Sequence, residues 1–186
     1  MDALYQCGFK SRKVQLLIQP NEENNSTTSN KETVKFMCNK AKDSIAFINM
    51  EGSVYNTAVL HRKGILGYRF TIHRKALHSA RCAEASNAVA EAAYKIIQLE
   101  KMKNPDGIMC NCGVIKGGTV ANSVAENCWF LADIRFSTLK ELEIVRKKVS
   151  KIAQLSYIEG CTCDIEEISF RPAMFDSEKM LCYLKI

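Results

Sequence analysis

The sequence predicts an α+β protein: a ferredoxin-like β-α-β-β-α-β unit with a four-stranded antiparallel sheet and two helices, preceded by a partial α/β (βαβ) segment. Three observations point there. Apolar residues alternate with period two in four runs between residues 65 and 170. Two amphipathic stretches of helical period lie between the first and second runs and between the third and fourth. Residues 1–60 carry a different pattern, two short apolar runs flanking one helical stretch.

In order, Val14-Gln15-Leu16-Leu17-Ile18 reads as a buried strand, closed by Pro20. The polar stretch 19–30 reads as a loop. Residues 31–42 read as a helix with Val34, Met37, Cys38 and Ala41 on one side, and 44–50 as a second apolar strand. Two strands and a helix do not make a stable core alone, so this part reads as a piece of a larger α/β domain. Residues 65–73 form the next strand, with Leu66, Tyr68, Phe70 and Ile72 on one face. The helix predicted over 86–103 aligns Ala88, Ala92, Ile96 and Leu99, and Asn104-Pro105-Asp106-Gly107 stops it. Strands follow over 108–115 and 128–136, joined by a loop over 116–126 that begins with Gly-Gly. Thr138-Leu139-Lys140-Glu141 is a capping box opening a second helix with Leu142, Val145, Val149 and Ile152 inward. A last strand covers 161–170, ended by Pro172. The domains expected are 1–62 (partial α/β segment), 63–171 (ferredoxin-like unit) and 172–186 (a return toward the first).

Composition excludes several classes. No run of 18 apolar residues exists, so no membrane helix is expected. The N-terminal residues lack a basic leader followed by an apolar stretch, so no secretory signal is read there and the expected compartment is cytoplasmic. Nine cysteines then read as reduced, mostly buried thiols. Cys110-x-Cys112 and Cys161-x-Cys163 invite a zinc reading, but paired zinc cysteines usually stand two or more residues apart. Alternation instead puts each pair on one face of a strand, as small core residues. The net charge of +6 draws on Lys140, Arg146, Lys147, Lys148 and Lys151. These alternate with apolar positions on a helix, a solvated face rather than a nucleic-acid patch, which would interleave aromatics.

Several residue groups could carry chemistry. Glu22-Glu23 follows the first strand, and Glu51 closes the second. Ligands in open α/β sheets gather at strand carboxyl ends, where one carboxylate can bind a metal while its neighbour takes a proton from a bound water. The plain alternative is a pair of solvated glutamates in an Asn-rich loop. Arg135 in Asp133-Ile134-Arg135 reads as a strand-end arginine with Asp133 as a possible partner. His78 after a strand reads as a surface residue on its own.

Taken in order, Asn21-Glu22-Glu23, Glu51, Lys75-Ala76-Leu77-His78, Gly117-Gly118-Thr119, Asn122-Ser123-Val124 and Asp133-Ile134-Arg135 resemble the middle of an M20-family zinc peptidase, the group of carboxypeptidases, dipeptidases and aminoacylases. The likeness covers about residues 10–175 and centres on that family's dimerisation, or lid, domain. It implies amide hydrolysis of dipeptides or N-acyl amino acids at a two-zinc site. Glu22 would be the general base, Glu23 and Glu51 zinc ligands, and His78 an oxyanion-stabilising residue that reaches the opposite subunit. Asn122 would bind substrate or tetrahedral intermediate, and Arg135 the substrate carboxylate, a task that suits a bidentate guanidinium. The sequence departs from the pattern at Arg74, Asn21, Asn24-Asn25-Ser26 and Ala125, where the family commonly has Gly, Asp, Gly-Ser and Pro. The family's His-x-Asp strand, bridging Asp and last zinc His have no counterpart here. The three histidines are His61, His73 and His78. Catalytic zinc takes about three protein ligands. The chain is therefore expected to be a homodimerising, substrate-binding fragment, inactive alone and not retaining zinc.

Two other readings compete. One is a stand-alone homodimerising module without chemistry. The other is an RNA-binding ferredoxin-like domain, from a faint RNP1 echo in Lys63-Gly64-Ile65-Leu66-Gly67-Tyr68, which would need aromatics exposed on the sheet.

Overall fold

The alternating runs after residue 60 close into one antiparallel sheet, and the runs before it do not form strands. The computed structural model describes residues 6, 13–18, 32–50, 59–74, 86–104 and 107–174. The chain divides into two units, Met1–Tyr55 and Asn56–Ile186.

In the first unit the helix predicted over 31–42 forms as α1 (Glu32–Ala41), with Glu32 in its first turn and Lys40 in its last, and buries none of its residues. The two strands expected beside it are corrected: residues 14–18 and 44–50 take no strand conformation, and Leu16, Ile18, Ile48 and Met50 are exposed. A strand exists only where a neighbour takes its N–H and C=O groups. Among the described residues neither run joins a β-ladder, so their apolar character does not translate into β-structure.

The second unit runs β1 (Gly64–Arg74), α2 (Ala88–Glu100), β2 (Met109–Gly117), β3 (Asn127–Phe136), α3 (Leu139–Gln154) and β4 (Cys161–Arg171). The strand order is β2-β3-β1-β4, all neighbours antiparallel, the ferredoxin-like arrangement that the sequence predicts. Leu66, Tyr68, Phe70 and Ile72 of β1 pair across with Ile134, Ala132, Phe130 and Cys128 of β3, so both strands turn one apolar face to the helices. Phe70 stacks on Phe130 with ring centroids 4.6 Å apart, at the centre of the core. Ala88, Ala92 and Leu99 of α2 and Leu142, Val145 and Val149 of α3 cover that face.

Local signals set the helix ends. Asn87 caps α2, its side chain accepting from the N–H groups of Val89 and Ala90. Thr138 caps α3 and accepts from Glu141 N–H at 3.1 Å; the Glu141 carboxylate returns one residue further back than a standard box, to Ser137 N–H at 2.6 Å. Beyond β1 and β4, Arg62 and Met174 exchange two backbone hydrogen bonds of 3.0 and 2.8 Å, so the chain enters and leaves the sheet side by side.

One feature runs against binary patterning. Glu91 and Lys95 lie on the buried side of α2, each side chain 1% exposed, with Lys95 Nζ 3.0 Å from Glu91 Oε1. Lys95 donates to the backbone carbonyls of Ile152, Ala153 and Leu155, the open carbonyl end of α3. The other Glu91 oxygen accepts from Tyr157 and Ile158 N–H at 2.9 and 2.7 Å. Removing one partner leaves a buried charge and orphaned carbonyls. Lys95→Ala is expected to lower the unfolding free energy by about 3–5 kcal/mol. In the same urea titrations Lys35→Ala, which removes an exposed pair with Glu32, should cost no more than about 1 kcal/mol.

Candidate functional site

Of the residues singled out for chemistry, Asn122 and Arg135 lie among the described residues; Glu22, Glu23, Glu51 and His78 lie outside them. Arg135 stands near the end of β3 and makes a two-pronged pair with Asp133, Nε to Oδ1 at 2.6 Å and Nη2 to Oδ2 at 3.1 Å. Residues two apart on a strand share a face, which brings the pair together. Both side chains are about half exposed, 40% and 46%. An exposed pair contributes only about 0–1 kcal/mol, so an incoming carboxylate can take the guanidinium from Asp133.

Around Arg135 a groove of about 810 Å³ opens between the start of β2, the end of β3 and the segments before β1 and after α2. Its lining includes Arg62, Lys63, Lys103 and Arg135 against the single carboxylate of Asp133. Lys63 is turned partly away, donating to the Gly107 carbonyl at 2.5 Å. The groove is cationic and suits an anionic group. Sequence reasoning picked out Arg135 and not Arg62, Lys63 or Lys103, because these come from segments far apart in the chain with no spacing in common.

Asn122 is exposed in the loop between β2 and β3, which enters β3 at Asn127. From Asn127 to Arg135 an extended strand covers about 26 Å. Asn122 and Arg135 therefore belong to opposite ends of β3. The Gly-Gly pair that opens the loop has a physical cause. A Cβ on Gly117 would lie 2.8 Å from Cys128 Sγ and 2.9 Å from Val89 Cγ2, and Gly118 holds φ at +73°.

The cysteines divide by environment. Cys110, Cys128 and Cys161 are core residues, as their alternation predicts, while Cys112 and Cys163 are half-buried. Burial pushes the Cys163 thiol up from 9.0 to about 11. The Cys112 thiol donates to Cys110, which holds Cys110 below the ordinary thiol range and drives Cys112 well above it. The Glu100 carboxylate, held below its usual range by Lys103, completes a group with these two thiols.

Residues 60–161 match the family model of the peptidase dimerisation domain, M20 type. The chain belongs to the M20 peptidase dimerisation-domain family. Among solved structures, the dimerisation domain is similar to an aminobenzoyl-glutamate utilization protein from Klebsiella pneumoniae (TM-score 0.58, 17% identity, covering 66% of this chain and 32% of that one). It is similar also to a tripeptidase from Staphylococcus aureus (TM-score 0.54, 17% identity, 64% and 32%). An aminopeptidase from Bacillus cereus gives a TM-score of 0.51 at 19% identity, with 64% and 33% covered. At these identities the likeness is one of fold. The chain spans about a third of the length of these structures, 32–33%. Comparison with curated protein sequences finds no significant match.

Two outcomes follow for the dimerisation domain. Gly118→Ala forces a side chain into the left-handed region and should cost about 1 kcal/mol in thermal unfolding. The Cys163 thiol is raised in the folded state, so the stability it contributes is present below pH 9.0 and is lost as pH rises toward about 11. Urea midpoints taken across that window should fall less steeply for Cys163→Ala than for the parent chain.

Proposed function

We propose that this chain supplies the pairing and substrate-gripping part of an M20-type amide hydrolase acting on dipeptides or N-acyl amino acids. The observation that carries the reading is the family match over residues 60–161 on a unit whose entry and exit strands pair at Arg62 and Met174. That pairing is the geometry of a domain inserted in a host domain, as a lid is. The cationic groove at Arg135 fits the carboxylate of such substrates. Asn122 lies toward the far end of β3 from Arg135, a separation beyond the reach of a dipeptide. A site that used both would draw them from two copies, which favours a homodimer pairing through a sheet edge and a helix. His78 would act across the same pairing, toward the oxyanion of the opposite copy. The six described cysteines are free thiols, which suits a reducing, cytoplasmic setting. No helix among the described residues is long and apolar enough to cross a membrane.

In this reading Glu22 is the general base of the family site and Glu23 and Glu51 are its zinc ligands. Two ligating carboxylates do not match the ligand number that catalytic zinc takes, so this donor set does not fit a two-zinc centre. The contribution of the chain is therefore dimerisation and binding. The RNA reading is disfavoured because Tyr68 and Phe70 of β1, whose rings would stack on bases, are core residues facing the helices.

Native mass spectrometry of the purified chain should give a dimer with no hydrolysis of dipeptides or N-acyl amino acids. A strict monomer at high concentration would remove the pairing role. Hydrolysis that Glu22→Gln abolishes would show that the chain is a complete enzyme.

A further inference from the structure

We propose that Glu100, Cys110 and Cys112 form a binding site for a thiophilic divalent cation of the zinc class, where the end of α2 meets the edge strand β2. None of its three residues is among Glu22, Glu23 and Glu51, the residues that the family resemblance gives to the hydrolytic centre.

The geometry points to it in three ways. One donor atom from each residue, two thiol sulfurs and a carboxylate oxygen, lies within 4.8 Å of the others. Around a tetrahedral zinc such donors stand about 3.5–3.8 Å apart, given bonds of about 2.3 Å to sulfur and 2.0–2.2 Å to oxygen. The two sulfurs share a face because one residue separates them on a strand. A knuckle with two intervening residues is not needed when the third donor arrives from a helix.

The carboxylate is also held in place. Cys112 N–H donates to Glu100 Oε1 at 3.0 Å, a bond from the backbone of one ligand to the side chain of another. Such outer contacts orient a ligand before the ion arrives. The other Glu100 oxygen pairs with Lys103. Two thiolates and a carboxylate around a dication leave one negative charge, which Lys103 offsets. Glu100 and Cys112 are half-buried, so both reach solvent, from which an ion can enter and water can take a fourth position. Cys161-x-Cys163 on β4 has the same spacing but gathers no third donor among the described residues. The convergence on Glu100, rather than the cysteine spacing, makes the first pair a site.

The test uses the full chain, reduced with a non-chelating phosphine and titrated with Co²⁺ as a spectroscopic stand-in for zinc. One cobalt per chain with a sulfur-to-metal charge-transfer band is expected, together with a rise in the thermal midpoint as the ion is added. Cys112→Ser should abolish the band. Glu100→Gln, which keeps an acceptor for Cys112 N–H, should weaken cobalt binding by about tenfold or more, the scale of losing even an outer contact. Glu23→Ala/Glu51→Ala should leave band and affinity unchanged. A missing band in the parent chain, or a band that survives Cys112→Ser in a variant with the parent's circular dichroism, overturns the proposal. Stoichiometric cobalt bound without that band, and lost in Glu23→Ala/Glu51→Ala, would instead move the ion to those carboxylates and overturn it equally.

Discussion

The sheet and helices of this domain are held in register by a buried ion pair. Lys95 fills the open carbonyl end of α3 with three hydrogen bonds, and Glu91 takes the next free N–H groups at Tyr157 and Ile158. Together they replace the water that a helix end and its following turn would otherwise need. Taking two charges out of water is costly, and attraction between the two alone need not offset that cost. Here five backbone groups share the work, and the Lys95 charge also meets the negative end of the α3 dipole. The pair therefore acts as a tie between α2 and the turn that launches β4. Tyr157 joins the same cluster, its ring stacked on Tyr94 at 5.8 Å and facing the Lys95 ammonium at 5.4 Å.

What the tie fixes is the direction of β4, and with it the sheet edge opposite β2. β4 pairs with β1 along its length with one irregularity at Gly67/Tyr68. β2, at the other edge, carries its own irregularity between Asn111 and Val114, the stretch that holds Cys112. The domain thus has a long regular centre, β1 with β3, and one irregularity toward each edge. Arg135 and its groove lie at one end of that centre and the Gly117-Gly118 loop at the other. The strand pair between them keeps the two apart within one chain.

Groups with chemical potential gather where elements from different parts of the sequence meet. The groove assembles Arg62, Lys103 and Arg135 from three segments, and the thiol cluster draws Glu100 from a helix and two cysteines from a strand. In both, one member stands out in the sequence, Arg135 by its place after Asp133 and the cysteines by their spacing. The rest are ordinary surface residue types until the chain is folded.

The sequence by itself determined the four strands after residue 60, both helices that cover them, the Thr138 cap of the second helix and the apolar inward faces. Those depend on local periodicity and on short-range hydrogen bonds such as Thr138 to Glu141. It also determined the family order of the Gly-Gly loop, Asn122 and Arg135. Tertiary structure alone decided three things. It decided that the apolar runs at 14–18 and 44–50 do not become strands, because a strand needs a partner for its backbone groups and period says nothing of partners. It decided that Glu91 and Lys95, a charged pair at helical spacing, are buried, because only the fold brings the end of α3 over them. And it decided that Cys110 and Cys112 meet Glu100, since distance in space between a helix and a strand is set by packing and not by position along the chain.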